Sequence, residues 1–143
     1  MENPTQDSSL SEILDIVKTS KNIAIVGVSD NPTRPSNMVT EYLVKYSNYN
    51  LFFVNPRLES LFGKAVYKSL KDIPVNIDLV DVFRKSEDIK EVMDEAIQIG
   101  AKAFWMQSGI VNEIEAARGR AHGIKVVQDR CLKIEHEKYL KLM

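Results

Sequence analysis

The chain is short of cysteine and of long apolar runs, and each shortage excludes a class of protein. Cys131 is the single cysteine among 143 residues, so no disulfide can form within one chain. No apolar run approaches the ~20 residues that a membrane-spanning helix needs. Residues 1–9 are polar and do not form the pattern of a signal peptide. These features predict a cytoplasmic protein in a reducing compartment.

An excess of charge of either sign is also missing. Nineteen Lys and Arg residues stand against 20 Asp and Glu residues, which gives a formal net charge of −1. Such a balance provides no long-range field for nucleic acid or for an anionic membrane. We therefore expect neither as a partner, and any site for an anion must be local.

Short apolar runs alternate with amphipathic segments along the chain. The apolar runs predict strands at 22–28, 51–54, 78–83, 103–107 and 124–127, and a weaker pattern indicates a short strand at 65–67. Amphipathic spacing predicts helices that begin near residues 9, 36, 86 and 112. The alternation predicts an α/β protein with a Rossmann-like, doubly wound parallel sheet. We expect about five strands in the order 3-2-1-4-5, with helices on both faces in a three-layer α/β/α arrangement.

A capping box marks the expected start of the folded region. Ser9 and Glu12 have the S-x-x-E spacing in which a serine hydroxyl caps the first turn of a helix. Residues 1–8 are polar and contain a proline, which predicts a flexible N-terminus. No repeat or linker follows, so we expect a single domain over residues 9–143.

The strand that ends at Gly27 leads into a loop suited to an anion. This loop carries Arg34, Pro35 and Ser36 before the next helix begins. A helix N-terminus that follows a strand offers unpaired N–H groups and the positive end of the helix dipole, which favours a phosphate. We expect Ser36 to cap that helix and also to offer its hydroxyl to the ligand.

A set of motifs in matching order carries a family resemblance. They are Gly27-Val-Ser29, Arg34-Pro-Ser36, Val54-Asn-Pro-Arg57, Asp81-Val-Phe-Arg84, Trp105-Met-Gln-Ser-Gly-Ile110 and Asp129-Arg-Cys-Leu-Lys-Ile-Glu-His136. Over residues 10–138 the chain resembles the small CoA-binding proteins of the YccU-like type. That group is related to the CoA-binding domain of the succinyl-CoA synthetase alpha subunit. The resemblance implies a Rossmann-like fold that binds coenzyme A as its cofactor, with no settled reaction for the stand-alone members.

The resemblance and the loop chemistry together assign a set of cofactor-binding residues. They are Gly27, Val28, Ser29, Arg34, Pro35, Ser36, Asn55, Pro56, Arg57, Val82, Phe83, Arg84, Gln107, Gly109 and Asn112. In this assignment the 27–36 loop and Arg57 hold the phosphates, and the 55–56 pair shapes the ribose and adenine end. Residues 82–84 provide a wall and a further positive charge. Gln107, Gly109 and Asn112 line the far side.

The sequences of these loops also favour CoA over some other nucleotides. A dinucleotide fingerprint needs G-x-G-x-x-G after the first strand and an acid at the end of the second. The first loop has only Gly27, and the second strand ends in Asn55-Pro56-Arg57. An arginine there suits a phosphorylated ribose, which CoA carries on its 3′ oxygen and NADP on its 2′ oxygen. NAD is therefore disfavoured, and an NADP-binding oxidoreductase-type module stays open as the alternative.

No catalytic constellation accompanies this site. Cys131 and His136 with Asp129 could form a thiol–imidazole pair, but they are not adjacent, and a free cysteine usually behaves as a small buried apolar residue. We expect Asp81 to be a buried, hydrogen-bonded structural acid. No cluster of His, Cys or acidic residues has the spacing of metal ligands. We expect a non-catalytic module that binds CoA or an acyl-CoA, with a separate enzyme or a second copy as a further partner. A third hypothesis is that the chain is an interaction protein with a vestigial nucleotide site.

Overall fold

The computed structural model describes residues 9–143, so the segment 1–8, predicted to be flexible, lies outside the described residues. The strands are β1 (Asn22–Val26), β2 (Asn50–Val54), β3 (Ser60–Leu61), β4 (Lys64–Tyr67), β5 (Leu79–Val82), β6 (Ala103–Met106) and β7 (Lys125–Val127). The helices are α1 (Leu10–Thr19), α2 (Pro35–Tyr46), α3 (Ile89–Ile99), α4 (Glu113–Ala121) and α5 (Leu132–Leu142). Among these residues, no helix combines the length and apolar character needed to cross a membrane.

The strands form one mostly parallel sheet with the order β3-β4-β2-β1-β5-β6-β7. The α/β class is confirmed, whereas the prediction of about five strands in the order 3-2-1-4-5 is wrong in strand count and order. β3 is a two-residue strand that pairs antiparallel with β4 through a tight turn at Phe62 and Gly63. β7 adds three residues at the opposite edge. The sequence predicted β7 at 124–127 and, more weakly, β4 at 65–67, but it did not predict β3, because two residues carry no periodicity.

Helices cover both faces of the sheet and enclose two apolar cores. On one face the buried residues of α1, α2 and α5 pack against Ile23, Ile25 and Trp105. On the other face α3 and α4 pack against Val80 and Phe104. The central strands are buried on both sides, which is why they read as continuous apolar runs rather than as alternating ones.

The helix boundaries follow local signals where those signals are strong. The Ser9 hydroxyl accepts from the Glu12 N–H at 3.2 Å, so the predicted cap of α1 is confirmed. Helix α3 ends at Gly100, whose φ of 71° is left-handed. The sequence prediction missed α5, because its buried face carries Glu135 and His136 beside Leu132 and therefore lacks a continuous apolar stripe. The α1 and α5 helices pack against each other.

Gly27 allows the loops that follow the paired strands β1 and β5 to lie close together. Its φ is +84°, and a Cβ atom at this position would lie 2.5 Å from the Phe83 carbonyl oxygen. A side chain here would therefore meet both backbone strain and a backbone clash. The absence of a Cβ lets the loop after β1 lie directly against the loop after β5.

Asp81 places a carboxyl group inside the core at the centre of the sheet. It lies in β5, in register with Ile25 on one side and Trp105 on the other, and it is fully buried. Burial raises the pKa of Asp81 to about 7, although a hydrogen bond from the Gln107 side chain acts in the opposite direction. The expectation of a buried, hydrogen-bonded acid is confirmed.

We predict that Gly27→Ala destabilises the fold far more than a matched control. Both Gly27 and Gly63 have positive φ, but a Cβ at Gly63 would meet nothing within 4 Å. Gly63→Ala should lose about 1 kcal/mol through backbone strain, whereas Gly27→Ala should lose about 3 kcal/mol because the Phe83 carbonyl must also move. Urea unfolding measures both free energies. Equal losses for the two variants would contradict the close approach.

We predict that Asp81 makes the fold less stable as the pH rises. The folded pKa of about 7 lies above the ordinary value of 3.8, so the folded chain keeps a proton that the unfolded chain releases. The free energy of unfolding should fall between about pH 4 and pH 7 and then level off. In Asp81→Asn this fall should be smaller by a few kcal/mol, since one pKa unit corresponds to about 1.4 kcal/mol. Denaturant unfolding across that range tests it, and parallel wild-type and variant profiles would contradict it.

Candidate functional site

A cleft of about 570 Å³ lies at the carboxyl edge of the sheet, where β1, β5 and β6 end. We call it the glycine cleft, after Gly27 in its wall. Eight of the residues predicted from sequence line it: Gly27, Ser29, Arg34, Pro35, Ser36, Phe83, Arg84 and Gln107. Segments that are far apart in the chain therefore meet at one rim, as expected for a sheet whose parallel strands end at the same edge.

The loop after Gly27 is held by its own polar side chains. The Ser29 N–H donates to the Ser36 hydroxyl at 2.9 Å, and the Asn37 amide donates to the Ser29 carbonyl at 2.9 Å. The prediction that Ser36 caps its helix is wrong: Arg34 is the N-cap residue, and Pro35 is the first residue of α2. Proline fits that position because its fixed φ suits a helix and its missing N–H would have had no partner.

The first turn of α2 borders the glycine cleft through Pro35 and Ser36. The N–H groups of a first helical turn lack acceptors within the helix, and the helix dipole places partial positive charge there. An anion in this part of the cleft would meet both features.

Three cationic side chains line the glycine cleft, namely Arg34, Arg84 and Lys85. Within the described residues 9–143, none of the three forms an ion pair with a carboxylate. The charged residues of a cavity of about 550 Å³ at the opposite edge of the sheet are instead paired with one another. There Lys102 lies 3.4 Å from Asp78, and Lys125 lies 3.1 Å from Asp15. The glycine cleft therefore differs from this cavity in its unpaired positive charge.

A second cleft of about 250 Å³ lies beyond Arg84, and we call it the proline cleft after Pro56 in its wall. Arg84 lines both clefts, so its side chain stands between them. The proline cleft has an acidic side formed by Asp88, Glu91 and Glu95. Its lysine, Lys68, is tied to the Pro56 carbonyl at 3.3 Å. The two clefts together offer an elongated path with cations at its middle and an acidic end.

Asn55 joins the loop after β2 to the loop after β1. Its amide donates to the Val28 carbonyl at 2.8 Å, and its Oδ1 accepts from the Arg57 N–H at 2.9 Å. These bonds hold Pro56 at the proline cleft. The side chain of the next residue, Arg57, is exposed. Asn55 therefore shapes the site through the backbone.

Six predicted residues line neither cleft: Val28, Asn55, Arg57, Val82, Gly109 and Asn112. Val28 and Val82 are fully buried in the core. The Asn112 side chain accepts from the Glu115 N–H at 3.1 Å as the cap of α4, and it donates to the Ser86 carbonyl at 2.8 Å. The side-chain oxygen and nitrogen of Asn112 thus serve the fold. The Gly109 N–H donates to Asp129 Oδ1 at 2.6 Å.

The sequence reading missed several residues that line the glycine cleft. They are Val39, Lys85, Ser108, Ile110 and Cys131. Lys85 and Cys131 follow β5 and β7, so the rule that ligands bind beyond the carboxyl ends of parallel strands could have included them. Val39 could not be found in this way, because it reaches the cleft from the second turn of α2.

The thiol–imidazole pair considered from sequence does not form. Within residues 9–143, no hydrogen bond joins Cys131 to His136, and the Nδ1 atom of His136 lies 2.7 Å from the Tyr42 hydroxyl. Burial lowers the pKa of His136. In the same part of the chain, no group of three His, Cys, Asp or Glu side chains is arranged to hold a metal ion.

Comparison with known proteins finds relatives of two sizes. YneT of Bacillus subtilis, an uncharacterized protein, is 39% identical over 131 residues, which cover 92% of this chain and 96% of YneT. The alpha subunit of acetate–CoA ligase [ADP-forming] II of Pyrococcus furiosus is 30% identical over 90 residues. That match covers 63% of this chain and 20% of the subunit, so the matched part of the chain corresponds to about a fifth of the ligase subunit.

Solved structures agree with the sequence relatives. A hypothetical protein from Pyrococcus horikoshii OT3 superposes with a TM-score of 0.88 at 35% identity, covering 98% of this chain and 99% of that one. A protein from Thermus thermophilus superposes with a TM-score of 0.86 at 32% identity, covering 92% and 99%. A family model described as a CoA binding domain matches residues 21–137, which include all the loops of both clefts. The chain therefore belongs to the family of CoA binding domains.

Proposed function

We propose that this protein is a non-catalytic module that binds coenzyme A or an acyl-CoA along the two clefts. The observation that carries the proposal is the convergence of Arg34, Arg84 and Lys85, without carboxylate partners among residues 9–143, beside the N-terminus of α2. CoA carries a pyrophosphate and a 3′-phosphate, and charge-assisted hydrogen bonds from arginine are suited to both.

The shape of the path supports a direction for the ligand. The pyrophosphate would lie between Gly27 and the first turn of α2, with Arg34 and Arg84 beside it. The adenosine would extend toward Pro56 and the proline cleft, where carboxylates can accept from the adenine amino group. The pantetheine arm would extend along Gln107 toward the far end of the glycine cleft.

The side chains that line the glycine cleft also support the non-catalytic part of the proposal. The polar groups of the glycine cleft are cations, hydroxyls, one buried carboxamide and the half-buried Cys131. Within the described chain no base is hydrogen-bonded to Cys131, so a nucleophile activated by a neighbouring base is not assembled. The acetate–CoA ligase subunit that resembles this chain is about three times as long, since the 90 matched residues cover 20% of it. We propose that any chemistry on the thioester is supplied by a separate enzyme or a partner subunit.

We predict a ranking of nucleotides by thermal shift. CoA at about 100 times its Kd should stabilise the fold by roughly 2.7 kcal/mol and raise Tm by several degrees. Dephospho-CoA should give a smaller shift if Arg57 or its neighbours hold the 3′-phosphate, and NAD should give none. A shift with NADP alone would support the oxidoreductase-type alternative. No shift with any of the four would overturn nucleotide binding altogether.

We predict that Arg34→Ala and Arg84→Ala each weaken CoA binding by about 1.5–3 kcal/mol, because each removes a charge-assisted hydrogen bond to a phosphate. Isothermal titration calorimetry measures the change. Lys102→Ala is the control, since this lysine lies at the opposite edge of the sheet and is 78% exposed beside Asp78. It should leave the affinity unchanged. Equal effects in all three variants would indicate general electrostatics rather than a site.

A further inference from the structure

Gln107 and Asp81 form a buried polar pair in the wall of the glycine cleft. Asp81 lies in β5, and Gln107 directly follows β6, the neighbouring parallel strand. The Gln107 Nε2 atom donates to Asp81 Oδ1 at 2.6 Å. Gln107 is 3% exposed and lines the cleft, whereas Asp81 lies beneath it at 0%.

The Asp81–Gln107 pair would lower the stability of the fold if its role were packing alone. The second carboxyl oxygen of Asp81, Oδ2, has no hydrogen-bond partner among residues 9–143. A buried polar atom without a partner costs stability, and an apolar residue of similar size would avoid this cost. The partners of Asp81 in register on the two neighbouring strands, Ile25 and Trp105, are both apolar. A role at the cleft accounts for the acid better than a role in the core.

The hydrogen bond decides which end of the Gln107 carboxamide is available to a ligand. A carboxamide has a donor nitrogen and an acceptor oxygen at nearly the same distance from the backbone. Because Nε2 donates to Asp81, the oxygen Oε1 remains, and within the described chain it accepts no hydrogen bond. At Gln107 the wall of the glycine cleft therefore offers a hydrogen-bond acceptor, Oε1, to a ligand.

We infer that Asp81 is a positioning residue that holds Gln107 so that its Oε1 accepts a hydrogen bond from an amide N–H in the pantetheine arm of CoA. The inference rests on the proposed function and names a contact within that site. The phosphates of CoA are acceptors and cannot use this group, whereas the secondary amides of the arm carry N–H donors. The pair would then select ligands that have the arm over bare nucleotides.

The first test compares CoA with adenosine 3′,5′-bisphosphate, which keeps the 3′-phosphate and the 5′-phosphate nearest the ribose and lacks the second pyrophosphate phosphate and the arm. Gln107→Leu should weaken CoA binding about tenfold, the value of one hydrogen bond to a buried acceptor, and change the affinity for the bisphosphate by less than about twofold. Isothermal titration calorimetry on the full chain measures both. A disturbed cleft would instead weaken both ligands together.

The second test separates positioning from packing at Asp81. Asp81→Leu is of similar size and removes the acceptor, so Gln107 is free to turn, and CoA binding should fall about five- to tenfold with the bisphosphate unchanged. Asp81→Asn keeps an oxygen that can accept from Nε2, and it should retain CoA affinity within about threefold. If Asp81→Leu does not fold, Gln107→Leu and Asp81→Asn still decide the question.

The outcomes distinguish this inference from the function on which it rests. Wild-type protein that binds neither CoA nor the bisphosphate would overturn the proposed function, and the inference with it. Wild-type protein that binds both, with Gln107→Leu weakening them equally or leaving CoA unaffected, would overturn the inference alone. A loss confined to CoA in Gln107→Leu, with affinity retained in Asp81→Asn, supports it.

Discussion

The contact between Gly27 and the Phe83 carbonyl is the constraint on which the rest of the site depends. Parallel strands end at one edge of a sheet, but their loops meet only if backbones can approach closely. With no Cβ and a φ of +84°, Gly27 lets the loop after β1 lie against the loop after β5. This contact brings Arg34 and Arg84 to one cleft, so a backbone property produces a concentration of charge.

That concentration is notable because the molecule as a whole is almost neutral, with a net charge of −1. Several cations elsewhere in the described chain are paired with carboxylates, as Arg118 is with Asp94 and Glu115. At the carboxyl edge Arg34, Arg84 and Lys85 have no carboxylate partner among residues 9–143. An anionic ligand would neutralise these cations. This is the physical link between the cleft and the family of CoA binding domains to which the chain belongs.

Much of the fold follows from particular sequence signals, and the failures have identifiable causes. The S-x-x-E spacing predicts the start of α1, and Gly100 predicts the end of α3. The strand count is wrong because β3 has only two residues and pairs with the adjacent strand β4. Ser36 has the residue type of a cap but bonds to the Ser29 N–H, since a hydroxyl takes the donor that the folded loop presents.

By itself the sequence determined the α/β class, the family and the loops that hold the candidate site, because each of these depends on local periodicity or on motifs that are read in order. Only the tertiary structure decided which side chains of those loops reach the cleft. Asn112 lies in the right loop, yet its amide is used to cap α4, whereas Cys131 lies outside the predicted set and lines the cleft. Side-chain direction depends on long-range packing and on competing hydrogen bonds, and neither is encoded in spacing along the chain.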